Sequence, residues 1–230
     1  MTYQVYTFLA AILLAVVHLF AGRFRSRLER VPRNGALSFA GGVSVSYVFV
    51  HVLPEFGEHQ HHLQTVVDFE HAAFLAALAG LVLFYGLEMH AERTSKGEVF
   101  WLHIGSFALY NALVGSLLYG RAEGKGLVPL ALYTTAMSLH FLVNDYGLLR
   151  HHQDQYHREG RWLLVLAIIG GWFAGRLLPL SETVHSFLFA FLGGAVILNV
   201  LKEELPSERE SKFLYFFLGV VVYTALLLAL

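Results

Sequence analysis

The chain alternates long apolar runs with short polar segments. Each run is about 18–24 residues long, which at a rise of about 1.5 Å per residue lets a helix cross a hydrocarbon core of about 30 Å. Eight runs meet this length, so the pattern predicts an all-α membrane protein, with residues 1–230 forming a single polytopic transmembrane domain. The predicted helices cover residues 3–22, 36–56, 68–90, 99–120, 127–149, 162–180, 184–204 and 212–230.

Composition narrows the possible partners. The 230 residues are 56% hydrophobic and only 14% charged, so the lipid bilayer is the expected surroundings. The net charge of -1 argues against a nucleic-acid partner, because such domains normally carry a basic face. The chain has no cysteine, so a bound metal would need nitrogen and oxygen ligands. Small residues on the helix faces would allow a homodimer.

The distribution of positive charge predicts the orientation in the membrane. Short cytoplasmic loops retain Lys and Arg. With the N-terminus outside, all but three of the 16 Lys and Arg residues fall in the four inner loops, and the exceptions are Arg121, Lys125 and Arg176. We therefore expect an integral protein of an inner or plasma membrane, with both termini on the non-cytoplasmic side.

Polar residues inside the fifth predicted helix are the main candidates for function. A charged side chain at the centre of a membrane costs about 3 kcal/mol, so an ionisable residue there indicates a functional site. His140 and Asn144 lie four residues apart and share a helix face, while Asp145 is turned by about 100° from Asn144. Asn111 is at matching depth in the fourth helix, although alone it could simply join helices. The four side chains could hold a cation.

Further polar residues mark the two ends of a possible path. His51 and Glu55 lie one turn apart near the outer end of the second helix. The segment 55–71 that follows is rich in His and acidic residues and has no Lys or Arg, so it is either a cation-attracting entrance or a solvated acidic loop. Glu203, at the inner end of the seventh helix, is the candidate exit residue.

The seventh helix echoes the second. Gly193-Gly194 matches Gly41-Gly42, and the stretch 199–203 resembles the stretch 51–55 with the polar pair one turn closer to the glycines. Since these helices cross the membrane in opposite directions, the echo suggests an inverted repeat of three helices on either side of a central pair. Many transporters place their substrate site near the midplane of such a repeat.

These features resemble the Zrt/Irt-like (ZIP) family of divalent metal transporters. In that family the fourth helix carries a His-Asn-x-x-Asp/Glu-Gly pattern and the fifth a His-Glu-x-x-His-Glu pattern, which together form a metal site. Asn111, Gly115 and His140 fit these patterns, and Asp145 is a shorter carboxylate at a Glu position. The other ligand positions of the family are occupied here by Tyr110, Val114, Phe141 and Asn144.

The resemblance implies a fold and a function. The fold is eight transmembrane helices in a 3+2+3 ZIP-like arrangement with an inverted repeat. The function is transport of divalent metal cations, zinc or iron, toward the cytoplasm, with the metal as substrate and no tightly bound cofactor. The implied route runs past an outer entrance, a transport site between helices four and five, and an inner exit. These consist of His51 and Glu55, then Asn111, His140, Asn144 and Asp145, then Glu203.

Two other hypotheses about the function stay open. The first is a non-transporting ZIP-like protein with a structural, sensing or partner-binding role, which the substituted ligand positions favour. The second is a metal-dependent intramembrane hydrolase, which would need three ligands, an open water position and a placed acid or base. Because the chain has no His-Glu-x-x-His pair, we expect no enzyme.

Overall fold

A computed structural model describes residues 2–28, 33–64, 66–94, 96–120, 126–178, 181–204 and 212–229, and in these ranges every regular element is a helix. Seven of the helices are long and apolar enough to cross a membrane, and the last, with 16 residues, is a shorter apolar helix. The prediction of an all-α chain with helices that could span a membrane is therefore confirmed within these ranges, whereas the 3+2+3 arrangement stays a prediction. In chain order the helices are α1 (Thr2–Leu28), α2 (33–64), α3 (Ala72–Thr94), α4 (Lys96–Gly120), α5 (Leu127–His151), α6 (Gln153–Leu177), α7 (182–204) and α8 (Phe213–Leu228).

Two segments predicted as loops are helical. In α2 the helix continues to Gln64, because Phe56, Gln60 and Leu63 repeat at helical spacing and are buried. The amide of Gln60 also accepts a hydrogen bond of 2.8 Å from the backbone N–H of Ala73, which secures the start of α3. Similarly, α6 begins at residue 153 rather than 162, so most of the predicted loop between the fifth and sixth helices belongs to α6.

Three of the described helices contain a π-helical turn, in which the hydrogen-bond register changes: α2, α6 (Tyr156–Gly160) and α7. In α2 the turn Val48–Val52 is π-helical, and it contains His51. Pro54 follows at once and has no N–H to donate, so the wide turn lets α2 continue past it. Another π-helical turn, Val200–Glu204, ends α7. Single π-helical turns inside α-helices often accompany functional residues.

Glycines bring pairs of helices into backbone contact. An added Cβ on Gly42 of α2 would overlap the carbonyl oxygen of Phe216 in α8, and one on Gly194 of α7 would overlap that of Ala77 in α3. Small residues permit such close packing inside membranes. The reciprocal contacts are Gly219 against Phe39 and Gly80 against Phe191.

The remaining helices enclose the polar residues. Gly115 of α4 and Gly171 of α6 lie against each other's helix backbone in the same way, and α1 packs on α5 and α6. The packed helices alternate in direction. One set, α1, α3, α5 and α7, runs one way through the bundle, and the other four helices run the opposite way. We name the end at which α1, α3, α5 and α7 terminate the basic end, since Arg23, Arg93, Arg150 and Lys202 lie there. The opposite end, which holds Glu55, is the acidic end.

Candidate cation site at the centre of the bundle

A hydrogen-bonded chain of three buried side chains joins α1, α4 and α5. The imidazole Nδ1 of His18 lies 2.7 Å from Oδ2 of Asp145, and its Nε2 lies 2.9 Å from Oδ1 of Asn111. The amide nitrogen of Asn111 donates to the Phe107 carbonyl at 2.8 Å, so its oxygen faces His18 and accepts from Nε2. Each of the three joined residues is at most 1% exposed.

The surroundings hold this chain in place. The hydroxyl of Tyr156, from α6, donates to the backbone carbonyl of His18 at 3.0 Å, and the ring of Phe141 stacks on the imidazole with centroids 4.9 Å apart. Within the described part of the chain, no donor reaches the other carboxylate oxygen of Asp145, Oδ1. An ionisable pair in such an apolar interior is expensive to bury. The one open oxygen is a place where a cation could be received.

His140 does not join this chain. Its ring stacks on Tyr47 of α2, with centroids 3.9 Å apart, and neither ring nitrogen has a hydrogen-bond partner within the described structure. The hydroxyls of Tyr47 and Tyr110 share a short hydrogen bond beside it. Five residues of α-helix turn by about 140°, so His140 faces α2 whereas Asp145 faces α1. Thus Asp145 and Asn111 meet at His18, whereas His140 lies on a different face of α5.

At several positions where the ZIP family has a metal ligand, this chain has a side chain that packs in the core. Tyr110, Val114 and Phe141 are all buried in the core. Asn144 is buried as well, on the same helical face as His140. Across the described ranges, no three His, Asp or Glu side chains are arranged to hold one metal ion.

At the acidic end the predicted entrance pair gains a third member. Nδ1 of His51 lies 3.8 Å from one oxygen of Glu55, and Nε2 of His59 lies 3.7 Å from the other. His59 also forms a 2.9 Å hydrogen bond with Ser186 of α7. At the basic end, Glu203 belongs to the last turn of α7, and its side chain lies outside the described residues.

The sequence analysis missed His18. With the first helix predicted to end at residue 22, this histidine lay near a helix end and was given no role. The helix runs on to Leu28, ten residues beyond it, so the imidazole sits about 15 Å from the helix end and at the depth of Asn111. The ten residues that precede His18, residues 8–17, are all apolar, and a histidine at the end of such a run would have been the signal.

No family model, curated protein or solved structure matches the chain. The resemblance to the ZIP family therefore stays a prediction from the sequence.

Proposed function

We propose that the chain is an integral membrane transporter that moves a divalent metal cation, zinc or iron, toward the cytoplasm between α1, α4 and α5. The observation that carries this proposal is the buried chain His18, Asp145 and Asn111. Burying an ionisable pair at the centre of apolar helices costs stability, and its usual compensation is a function in moving ions or protons.

The donor set suits such a cargo. Imidazole and carboxylate groups bind zinc and iron, and the carboxamide of Asn111 adds a neutral oxygen. To bind a cation, His18 and Asp145 must give up their mutual hydrogen bond. His140 lies about 7.5 Å nearer the acidic end than Asp145 along α5. A cation entering past Glu55 would therefore pass His140 before it reached Asp145.

An internal repeat would supply the alternating motion. Gly42 follows Phe39 by three residues and Gly194 follows Phe191 by three, and each glycine precedes a π-helical turn by six residues. This register differs from the one that the sequence echo suggested, because it matches His51 with Glu203 instead of with Asn199. We take it as support for a 3+2+3 inverted repeat, in which one half rocks against the other.

A non-transporting role is the second candidate. Aromatic side chains, Tyr110 and Phe141, occupy ligand positions of the family, and the described residues contain no three-ligand metal group. A helical scaffold that only senses a cation or binds a partner would not need a complete metal site.

Uptake into proteoliposomes separates the two candidates. Purified protein is reconstituted, and entry of zinc, iron, manganese and cadmium is compared with that of the double variant His140→Ala/Asp145→Ala. Transport predicts saturable flux that falls at least tenfold in the double variant and is unchanged in Asp154→Asn, which removes an exposed carboxylate at the start of α6. Flux no higher than in empty liposomes for all four metals, from well-folded protein, would leave the non-transporting role.

A further inference from the structure

A second buried carboxylate lies at the basic end of the bundle. Glu88 is only 2% exposed although it belongs to α3, whose other side chains are mostly apolar. Its Oε1 atom lies 2.7 Å from Nζ of Lys202 in α7 and 3.5 Å from Nε2 of His103 in α4. Three helices therefore meet at one carboxylate oxygen.

This cluster lies in line with the central chain. His103 precedes Asn111 by eight residues on α4, which places it about 12 Å nearer the basic end. Phe107 lies between the two along that helix, with its ring centroid 6.5 Å from that of His103. The His152 ring, just past the end of α5, lies 6.4 Å from the His103 ring. The group therefore lies on the basic-end side of the central chain, the side toward which a cation leaving Asp145 would move.

The three members of the cluster are not equally buried. The side chain of Glu88 is 3% exposed and that of His103 is 10% exposed, whereas that of Lys202 is 36% exposed. The ammonium thus reaches the carboxylate from the solvent side on a flexible stem, while the carboxylate and imidazole are fixed by packing, the latter stacked on Phe84. The lysine is the member that can leave at least cost.

We propose that Glu88 and His103 form a release site for the transported divalent cation, in which the Lys202 ammonium holds the cation's place. The proposal rests on the proposed transport function for the identity of its cargo. A carboxylate and an imidazole are suitable ligands for zinc, iron or manganese, with water completing the coordination. Because two cations at one carboxylate repel each other, the arriving ion displaces Lys202. The returning lysine then competes with the ion for the carboxylate, which weakens binding of the ion and speeds its release.

Manganese binding tests the proposal without relying on transport. Loss of the free Mn²⁺ electron paramagnetic resonance signal is measured with purified protein in detergent, all in an Asp145→Asn background that removes the central carboxylate. Lys202→Met should tighten binding at least tenfold, and Lys202→Met/Glu88→Gln should abolish that gain. Lys202→Arg keeps the charge and should bind as weakly as the background, as should Lys212→Met, which removes an exposed lysine at the same end.

The contrary results are equally defined. Unchanged or weaker Mn²⁺ binding in Lys202→Met would reduce the cluster to a structural ion pair, and so would a gain that persists after Glu88→Gln. If Lys202→Met does not fold, Lys202→Gln is the replacement, with the same expectations. A tenfold gain in binding together with no uptake by the unmodified protein would uphold the site and sink the transport function. Uptake by the unmodified protein, without tighter Mn²⁺ binding in Lys202→Met, would support transport and contradict the release site.

Discussion

The contact between His18 and Asp145 can be tested by removing the partners one at a time and together. Asp145→Leu leaves the buried imidazole of His18 without its acceptor, and His18→Leu leaves the buried carboxylate without its donor. Removing one partner of a buried ion pair typically costs about 3–5 kcal/mol of stability. Removing both partners leaves only the Asn111 oxygen unpaired, for about 1–3 kcal/mol.

The double variant should therefore be more stable than either single variant. The coupling energy of the cycle, taken from the three differences in the free energy of unfolding, should be about 3–9 kcal/mol. Denaturant titration of the purified protein in mixed micelles, followed by tryptophan fluorescence, provides these free energies. Single losses below about 1 kcal/mol that simply add in the double variant would refute the reasoning, because they would mean that the two residues do not share a buried contact.

Two further predictions follow from the helix contacts and the charge pattern. Gly194→Ala should lower the free energy of unfolding by about 1–3 kcal/mol because the new methyl meets the α3 backbone, whereas Gly170→Ala, which meets open space, should change it little; equal effects in the same denaturant titration would contradict the α3–α7 contact. Since the chain lacks cysteine, Glu58→Cys should react with an impermeant maleimide on intact cells and Arg150→Cys only after permeabilisation. The opposite labelling pattern would reverse the predicted orientation.

The helices could be predicted because apolar length alone specifies a transmembrane helix. The residues at which the helices end could not be predicted in the same way. Residues 57–64 are polar and resemble a loop, yet α2 includes them because Phe56, Gln60 and Leu63 have buried positions to fill on the neighbouring helices. Hydropathy identifies the part of a helix that crosses the hydrocarbon core, and it does not show how far the helix continues beyond it.

The sequence allowed two residues of the candidate site to be predicted, but not the side chain that they contact. Asn111 and Asp145 stand out because polar side chains are rare at mid-membrane depth. Which residue they meet depends on how α1 packs against α4 and α5, and no spacing within a single helix encodes that. His18 escaped notice through an error of six residues at the end of the first helix, and His140 was grouped with Asp145 although the helix turns them apart.

The most direct test of transport between α1, α4 and α5 is zinc uptake by the His18→Ala variant in proteoliposomes. Histidine 18 is the residue through which these three helices are connected, so its loss removes a donor from the path and the link between Asn111 and Asp145. The account predicts at least a tenfold drop in saturable zinc flux, with His90→Ala, which removes an exposed histidine of α3, matching the unmodified protein. Unimpaired flux in a well-folded His18→Ala protein would place the path elsewhere and contradict the account.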